Sequence, residues 1–480
     1  MNRRLMAFCA ACALLGGCSV GPDYKRPAAL KSQSVPAAFA GGWKIAEPAA
    51  HLPRGAWWEI FSDAELNRLE RAATAENQTL VAAIARFAQA RALVDVARAN
   101  FFPQLSFDPS MSRQRTSVNA PQSGKAAGQP YSFNTFTMPL EMGWELDLWG
   151  RIRRQTEAAR ARLTSSADDV EAVRLALQAE VATDYFTLHA LDTELALVAD
   201  TIETYRRSLE LTRNRRKGGI VSDLDVAQAD TQLRTIEAQL PALRLRRANL
   251  LHALATLCGQ TATTFTVAPA HGYLTPPSVP ASAPSELLER RPDVAVAERQ
   301  MAAANADVGV AKAAFYPRVS LNGLAGFQSV SASALFDWQS RMWAIGPTLE
   351  LPLFTGGRNT AQLAATRAVY DATVASYRQT VLAAFQEVED QIASQRLLAD
   401  QLKAETAALA SARRMMEIAN NRYHAGLVTY LEVATAQSVA LARERTVVQL
   451  QGERSVATVS LIKALGGGWQ VNAERNRANR

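Results

Sequence analysis

Apolar residues along this chain keep two different periods, and the periods alternate in blocks. Between residues 152 and 215 there is no Pro, and Val181, Leu188, Leu195, Ile202 and Leu209 recur every seven residues. Leu177, Asp184, Leu191, Val198 and Tyr205 recur likewise, each four residues earlier, which makes a heptad seam with one polar interruption at Asp184. A second seam runs through Val374, Val381 and Val388, with Phe385 and Ile392 four residues beyond the last two. The pattern predicts long helices over 152–215 and 360–422, each followed by a returning helix, over 222–258 and 429–464. At ~1.5 Å per residue, about sixty helical residues reach ~90 Å, far beyond an ordinary globular domain. Pro241 should bend or break the first returning helix.

The second period is two. Leu105, Phe107 and Met111 fall on one face of 105–111, with Ser106, Asp108 and Ser110 on the other. Over 136–146 the apolar set is Phe136, Met138, Leu140, Met142, Trp144 and Leu146, against Thr135, Thr137, Glu141 and Glu145. Val319, Leu321, Ala325 and Phe327, then Trp343, Ile345, Leu349, Leu351 and Leu353, repeat the alternation. Each strand pair follows an Ala-rich helix, over 62–100 and 285–314, stopped by Pro103 and Pro317. A long loop rich in Gly, Pro and Ser, 115–132, joins the first pair.

These blocks occur twice. ANFFPQL at 99–105 matches AAFYPRV at 313–319, WELDLWGR at 144–151 matches LELPLFTGGR at 349–358, and NRRKGGIVSDLDV at 214–226 matches NRYHAGLVTYLEV at 421–433. The sequence therefore divides into 1–17, 18–61, a first repeat over 62–261, a linker over 262–284, a second repeat over 285–464 and a tail over 465–480. The hairpins lie at about 104–147 and 318–354.

Two environments suit the alternating strands: a soluble sandwich core, or lipid on one side and a lumen on the other. Strands of about ten residues with Trp144, Trp149 and Trp343 near their ends fit a bilayer, where a spanning strand needs ~9–11 residues. Four strands cannot close a barrel, and open edges in lipid leave backbone groups unpaired. A spanning role therefore requires several chains to share one barrel; three would supply twelve strands.

The N-terminus bears on that choice. Arg3 and Arg4 precede the apolar run LMAFCAACALLGG, the layout of a signal peptide that is too short to span. LLGGCSVG resembles a bacterial lipobox, which implies cleavage after Gly17 and acylation of Cys18. Ser19 behind it implies sorting to the outer membrane. An ordinary secretory signal with a chance Cys is the plainer alternative. Cys9 and Cys12 would leave with the signal and Cys18 would be acylated, so Cys258 is the one remaining thiol and reads as a small buried apolar group. Loss of two arginines lowers the formal charge from +7 to +5, too little to suggest a nucleic-acid partner.

The chain shows little sign of catalysis. His51, His189, His252, His271 and His424 are scattered without helical metal spacing, and Walker and dinucleotide loops are absent. Gly17-Cys18-Ser19-Val20-Gly21 fits a Gly-x-Ser-x-Gly pattern by chance, since signal cleavage removes Gly17. At the two repeated turns, Gly219 and Gly426 supply the bend. Ser222 with Asp225, and Thr429 with Glu432, have the spacing of a capping box. Arg213, Arg215, Arg216 and Lys217 crowd the end of the first long helix. They either stabilise its C-terminus or meet acids of an adaptor or a neighbouring protomer.

CSVGPDYKRP at 18–27, WWEIFSD at 57–63, FFPQL, WELDLWGR, LPLFTGGR and both turns resemble, in this order, the outer-membrane factor (TolC-like) family, in its lipoprotein branch of OprM- or NodT-like channels. The resemblance implies an α + β membrane protein, a homotrimer whose twelve-stranded barrel continues into a periplasmic α-helical tube. Residues near 30–60, 262–284 and 465–480 would girdle that tube. It implies no enzyme activity, no metal and no cofactor beyond lipid on Cys18. The implied role is the passive exit duct of a tripartite exporter of drugs or metal ions, with a periplasmic adaptor and a proton-driven inner-membrane pump. A type I protein-secretion duct and a trimeric surface adhesin are the alternatives. The resemblance also places the turns at the periplasmic mouth, with Asp225 and Glu432 lining its aperture and Tyr423 holding the closed state. Gln228 and Thr435 stand where relatives often carry an aspartate, and Val428 where a latch arginine can occur.

Overall fold

The computed structural model describes residues 19–28, 55–117, 131–272, 274–277 and 291–467. Cys18, the leader before it and most of the expected girdle therefore lie outside the described residues. The chain forms two compact units. One gathers the described parts of Met1–Ala28, Phe87–Ser166 and Ala297–Tyr377; the other gathers those of Ala29–Arg86, Ala167–Val296 and Arg378–Arg480. Helices α1 (Ala64–Glu76) and α2 (Gln78–Ala99) lead into strands β1 (Gln104–Phe107), β2 (Ser110–Arg115) and β3 (Ser132–Leu146). Helices α3 (Arg151–Lys217), α4 (Asp223–Glu237), α5 (Gln239–Leu257) and α6 (Pro292–Ala313) follow. Strands β4 (Arg318–Ser329) and β5 (Arg341–Glu350) then precede α7 (Arg358–His424) and α8 (Tyr430–Ala464). Among the described residues no helix is long and apolar enough to cross a membrane.

In the first unit the strands form one antiparallel sheet in the order β1 and β2, β3, β4, β5. The register aligns Leu105 with Met142, Trp144 with Leu321, and Ala325 with Trp343, so the alternating apolar positions share one face. That face is open: Leu105, Phe107, Met111, Leu140, Trp343, Ile345 and Leu349 are all exposed. The opposite face is largely polar and lines a concavity of about 950 Å³ with Ser106, Glu141, Glu145, Ser320, Asn322 and Thr348. Arg151 closes a bidentate pair on Glu145 at 2.8 and 2.6 Å.

The strand expected over 105–111 is interrupted. Pro109 has no N–H to give a ladder, and Asp108 donates its own N–H to Pro139 across the gap at 3.4 Å, so β1 and β2 are separate pieces. The last strand stops at Glu350, before Pro352, which leaves Leu351 and Leu353 outside the sheet.

The segment behind Cys18 is strapped to this unit. Val20 N–H donates to Trp149 O at 2.9 Å, Asp23 pairs with the buried Arg154 at 2.7 Å, and Tyr24 Oη donates to Glu298 at 2.9 Å. Gly21 crosses Gly309 so closely that a Cβ on Gly21 would lie 2.6 Å from Gly309 Cα. Trp149 Nε1 donates to Pro317 O at 2.8 Å, and Trp144 Nε1 to Phe101 O at 2.9 Å.

The second unit is helical. The expected heptad positions Leu177, Val181, Leu188, Leu191, Val198, Ile202, Tyr205 and Leu209 are buried. Asp184 is half-buried among them, and loss of solvent, then the nearby Glu180, pushes its carboxyl up to about 6. The single helix expected over 62–100 is two helices. Asn77 leaves the helical region (ψ 122°), its Oδ1 accepts from Leu80 N–H at 3.0 Å, and its Nδ2 donates to Leu257 O at 2.9 Å. Gly259, at φ +68°, fits against that break, since a Cβ there would lie 2.4 Å from Glu76 O. The returning helix expected over 222–258 also divides, at Ala238, with Pro241 in the first turn of α5. Trp57 and Trp58 are buried, and Tyr185 Oη donates to Asp63 at 2.6 Å.

Candidate functional site

The two repeated turns come together in the second unit. Each long helix ends in the same way. Gly219 and Gly426 adopt φ +73° and +76°, a left-handed conformation that costs other residues about 1 kcal/mol or more. Ile220 N–H then reaches back to Arg215 O at 2.9 Å, and Leu427 N–H to Arg422 O at 2.9 Å. Gly219 N–H to Arg216 O and Gly426 N–H to Tyr423 O complete a Schellman motif at both sites, at 3.0 Å each.

The helix starts that follow differ. Ser222 caps α4: Asp225 N–H donates to Ser222 Oγ at 3.3 Å, and Asp225 Oδ2 accepts from Ser222 N–H at 3.0 Å, a reciprocal capping box. Thr429 precedes α8 without any side-chain cap bond, so the second expected capping box does not form. The reason is geometric. Asp225 extends its other oxygen, Oδ1, to Tyr430 N–H at 3.1 Å, and so caps α8 from the first turn. Glu432, left unused as a cap, lies exposed 3.7 Å from Arg422.

Asp225 is therefore 9% exposed, and its carboxylate is filled by donors from two helix starts. Within the protomer Asp225 is an internal cap. Burial acts to raise its carboxyl, but the bonds from Ser222 and the backbone of Tyr430 outweigh that and hold it below the ordinary range. Asp223, fully exposed, is lowered by its bidentate partner Arg216 at 2.7 and 2.8 Å.

Aromatic packing joins the turns beside this cap. Tyr423 is buried, its Oη is 3.3 Å from Thr212 Oγ1, and its ring meets Tyr430 edge-on at 5.6 Å. Arg215 lies over the Tyr423 ring at 4.7 Å and donates to Tyr423 O at 2.9 Å. Loss of solvent, then the neighbouring Tyr205 and Tyr423, pushes the Tyr430 hydroxyl up to about 12. Gln232 bridges onward, donating to Tyr205 Oη at 3.1 Å and Ser438 Oγ at 2.8 Å.

Within the basic group Arg215 turns inward, while Arg213 and Arg216 stay exposed in surface ion pairs. Arg213 pairs with Asp230 at 3.3 Å, Arg215 with Tyr423 and Arg216 with Asp223, all within one chain, while Lys217 is exposed. Gln228 is half-buried, and Thr435 is exposed with its hydroxyl on Leu431 O at 2.8 Å. Ser19 belongs to the first unit, with its Oγ 3.5 Å from Arg154. Sequence reasoning missed an apolar feature: Ile220 and Leu224 in one turn, and Leu427 and Leu431 in the other, are exposed. The signal was present, since both pairs stand one and five residues past the Gly. Among the described residues no group of His, Cys, Asp or Glu gathers as a metal site. The arrangement fixes the two helix starts to one another through Asp225 and the two helix ends through Arg215.

Comparison with known proteins agrees with this architecture. The sequence model of the family described as outer membrane efflux protein matches residues 69–260 and 283–467. The outer membrane protein OprJ of Pseudomonas aeruginosa is 34% identical over 458 residues, covering 95% of this chain and 94% of its own. The cation efflux system protein CusC of Escherichia coli O6:H1 is 31% identical over 468 residues, covering 97% and 99%. The structure of the outer-membrane channel OprN superposes with a TM-score of 0.84 at 32% identity, over 94% of this chain and 100% of that one.

Proposed function

The chain belongs to the outer membrane efflux protein family, and on that premise we propose that it acts as a homotrimer, the exit duct of a tripartite efflux system. Three sheets join edge to edge into a twelve-stranded barrel, the helices continue it as a periplasmic tube, and acyl chains on Cys18 anchor each protomer. A periplasmic adaptor and an inner-membrane pump deliver small toxic compounds, drugs or metal ions, and the duct conducts them passively.

One observation carries this reading. The sheet presents a continuous exposed apolar face, yet ends at β1 and β2 on one side and β5 on the other. A sheet in lipid must have its edge N–H and C=O groups paired, and within this family further copies of the chain are the natural partners. The gate belongs to the helix ends, with Glu432 as the acid available to an aperture and Asp225 as the internal cap.

Cysteines placed on β1 and β5 should cross-link between chains and yield covalent trimers that conduct in planar bilayers. Recovery of monomers alone, or trimers without conductance, would overturn the shared barrel. In the same bilayers Glu432→Ala should change cation preference in folded trimers; unchanged single-channel behaviour would remove Glu432 from the aperture.

A further inference from the structure

The apolar face of the sheet changes chemistry towards one end, and it does so on each of the strands β2 to β5. On β3 that face is apolar from Leu146 to Phe136, then polar at Asn134 and Ser132. Its neighbours switch towards the same end. Met111 is followed by Arg113 and Arg115 on β2, Phe327 by Ser329 on β4, and Trp343 is preceded by Arg341 on β5. Ten residue steps at ~3.3 Å, tilted by ~40°, give an apolar band of ~25 Å, the height of the lipid band of a spanning barrel. Arg113 and Arg115 therefore stand beyond the Phe136 end of that band, and Arg341, level with Phe327 and Met138, stands where the apolar run of β5 ends, all on the side that faces lipid.

Their position is not a general scatter of charge. The sheet acids Glu141, Glu145 and Glu350 fall on the opposite, polar face, together with Arg318. Arg341 is held in place: its Cζ is 3.8 Å from the centre of the Trp338 ring, and its Nη1 donates to Trp338 O at 3.4 Å. Trp338 is 73% exposed. Phe336, 67% exposed, meets Phe327 edge-on at 5.8 Å and extends the outward face past the strand ends. Asp337, the acid of this loop, begins the short turn Trp338–Ser340.

We infer that Arg341, Arg113 and Arg115 form a rim that binds the phosphate groups of a bisphosphorylated glycolipid in the outer leaflet. The inference rests on the barrel proposed above, in which this end of the sheet faces outward. A guanidinium fork matches phosphate oxygens bidentately, and exposed aromatic rings beside it suit the boundary between acyl chains and head groups. Closure of the barrel brings the β5 edge beside the β2 edge of the next copy, so arginines from two edges meet. A lipid carrying two phosphates on a sugar pair can bridge them.

The test uses the full-length trimer in phosphatidylcholine nanodiscs doped with bisphosphorylated lipid A, with dephosphorylated lipid A, or with phosphatidylglycerol. Native mass spectrometry counts the dopant retained per trimer. Bisphosphorylated lipid A should be retained selectively, and Arg341→Gln or Arg113→Gln with Arg115→Gln should weaken retention about tenfold. Arg341→Lys should weaken it less, and Arg318→Gln on the polar face should leave it unchanged. Equal retention of the dephosphorylated lipid, equal retention of phosphatidylglycerol, or indifference to the Gln variants would show that the arginines only reach for water, and would overturn the inference. Conductance of the same trimers separates the two readings. Conducting trimers indifferent to phosphate sink the rim alone, whereas failure to form conducting trimers sinks the barrel and the rim together.

Discussion

The two helix turns begin from nearly the same sequence and end with different wiring. Both stop a 67-residue helix with a left-handed Gly and a Schellman motif. Beyond the Gly they part. In the first turn the acid three residues after the hydroxyl is an Asp, and its short side chain folds back to Ser222 while its second oxygen meets Tyr430 N–H. In the second turn the corresponding acid is Glu432, which pairs at the surface with Arg422. One carboxylate thus holds two helix starts, and the other remains available to solvent. The pair teaches that repeated sequence need not mean repeated function: one turn supplies the clamp, the other the exposed charge.

That asymmetry sets the size of the mutational effects. Asp225→Ala removes acceptors from both helix starts at once and should destabilise the region by about 2–4 kcal/mol. Hydrogen exchange of the Ser222 and Tyr430 amides reads this directly, and both should lose protection together. If only Ser222 responds, the shared cap is not present in solution. Arg215→Ala, which strips the cation from the Tyr423 ring and a donor from its carbonyl, should cost about 1–2 kcal/mol by the same measurement.

Capping residues come next. Ser222→Ala should cost about 1 kcal/mol, whereas Thr429→Ala, at a cap that makes no side-chain bond, should cost only a few tenths. Equal losses would mean that both hydroxyls cap. The smallest effect belongs to Glu432→Gln, an exposed pair worth about 0.2 kcal/mol and lost in high salt.

A pH titration separates the turns again. The Asp225 carboxyl is held below its ordinary range, so the stability it contributes is present above the unfolded value, about 4, and is lost as pH falls through the folded value. Both amides should lose protection in that acid window in the native protein, and Asp225→Asn should flatten the response. Asp184 has the opposite sign. Its folded value of about 6 means that stability falls as pH rises from about 4 towards 6, and Asp184→Asn should remove that slope.

Much of this architecture was legible in the chain, for identifiable reasons. The heptad spacing from Leu177 to Leu209 describes a face that must be buried, and the helix that carries it differs from the expected 152–215 by one or two residues at each end. Gly219 and Gly426 mark the turns because a left-handed residue is costly elsewhere. Alternation from Phe136 to Leu146 indicates a strand with two unlike faces. The interruptions were harder to read. Asn77 breaks a helix because its amide finds Leu257 O, 180 residues away in sequence, and no local pattern records that partner. The partners of the Arg cluster were not legible, because Tyr423 and Asp230 become its neighbours only after folding.

The sequence by itself determined the periods, the turns, the duplicated motifs and the acids that stand after each Gly. These are local properties, written in side-chain volume, backbone preference and spacing. The tertiary structure alone decided which acid is enclosed. Asp225 and Tyr430 lie 205 residues apart and meet because two helix starts pack side by side. A carboxylate placed between two sets of unpaired N–H groups is held by both, because unpaired buried donors cost more than ordering a single side chain. Glu432 has no such position, so the same spacing leaves its charge in water.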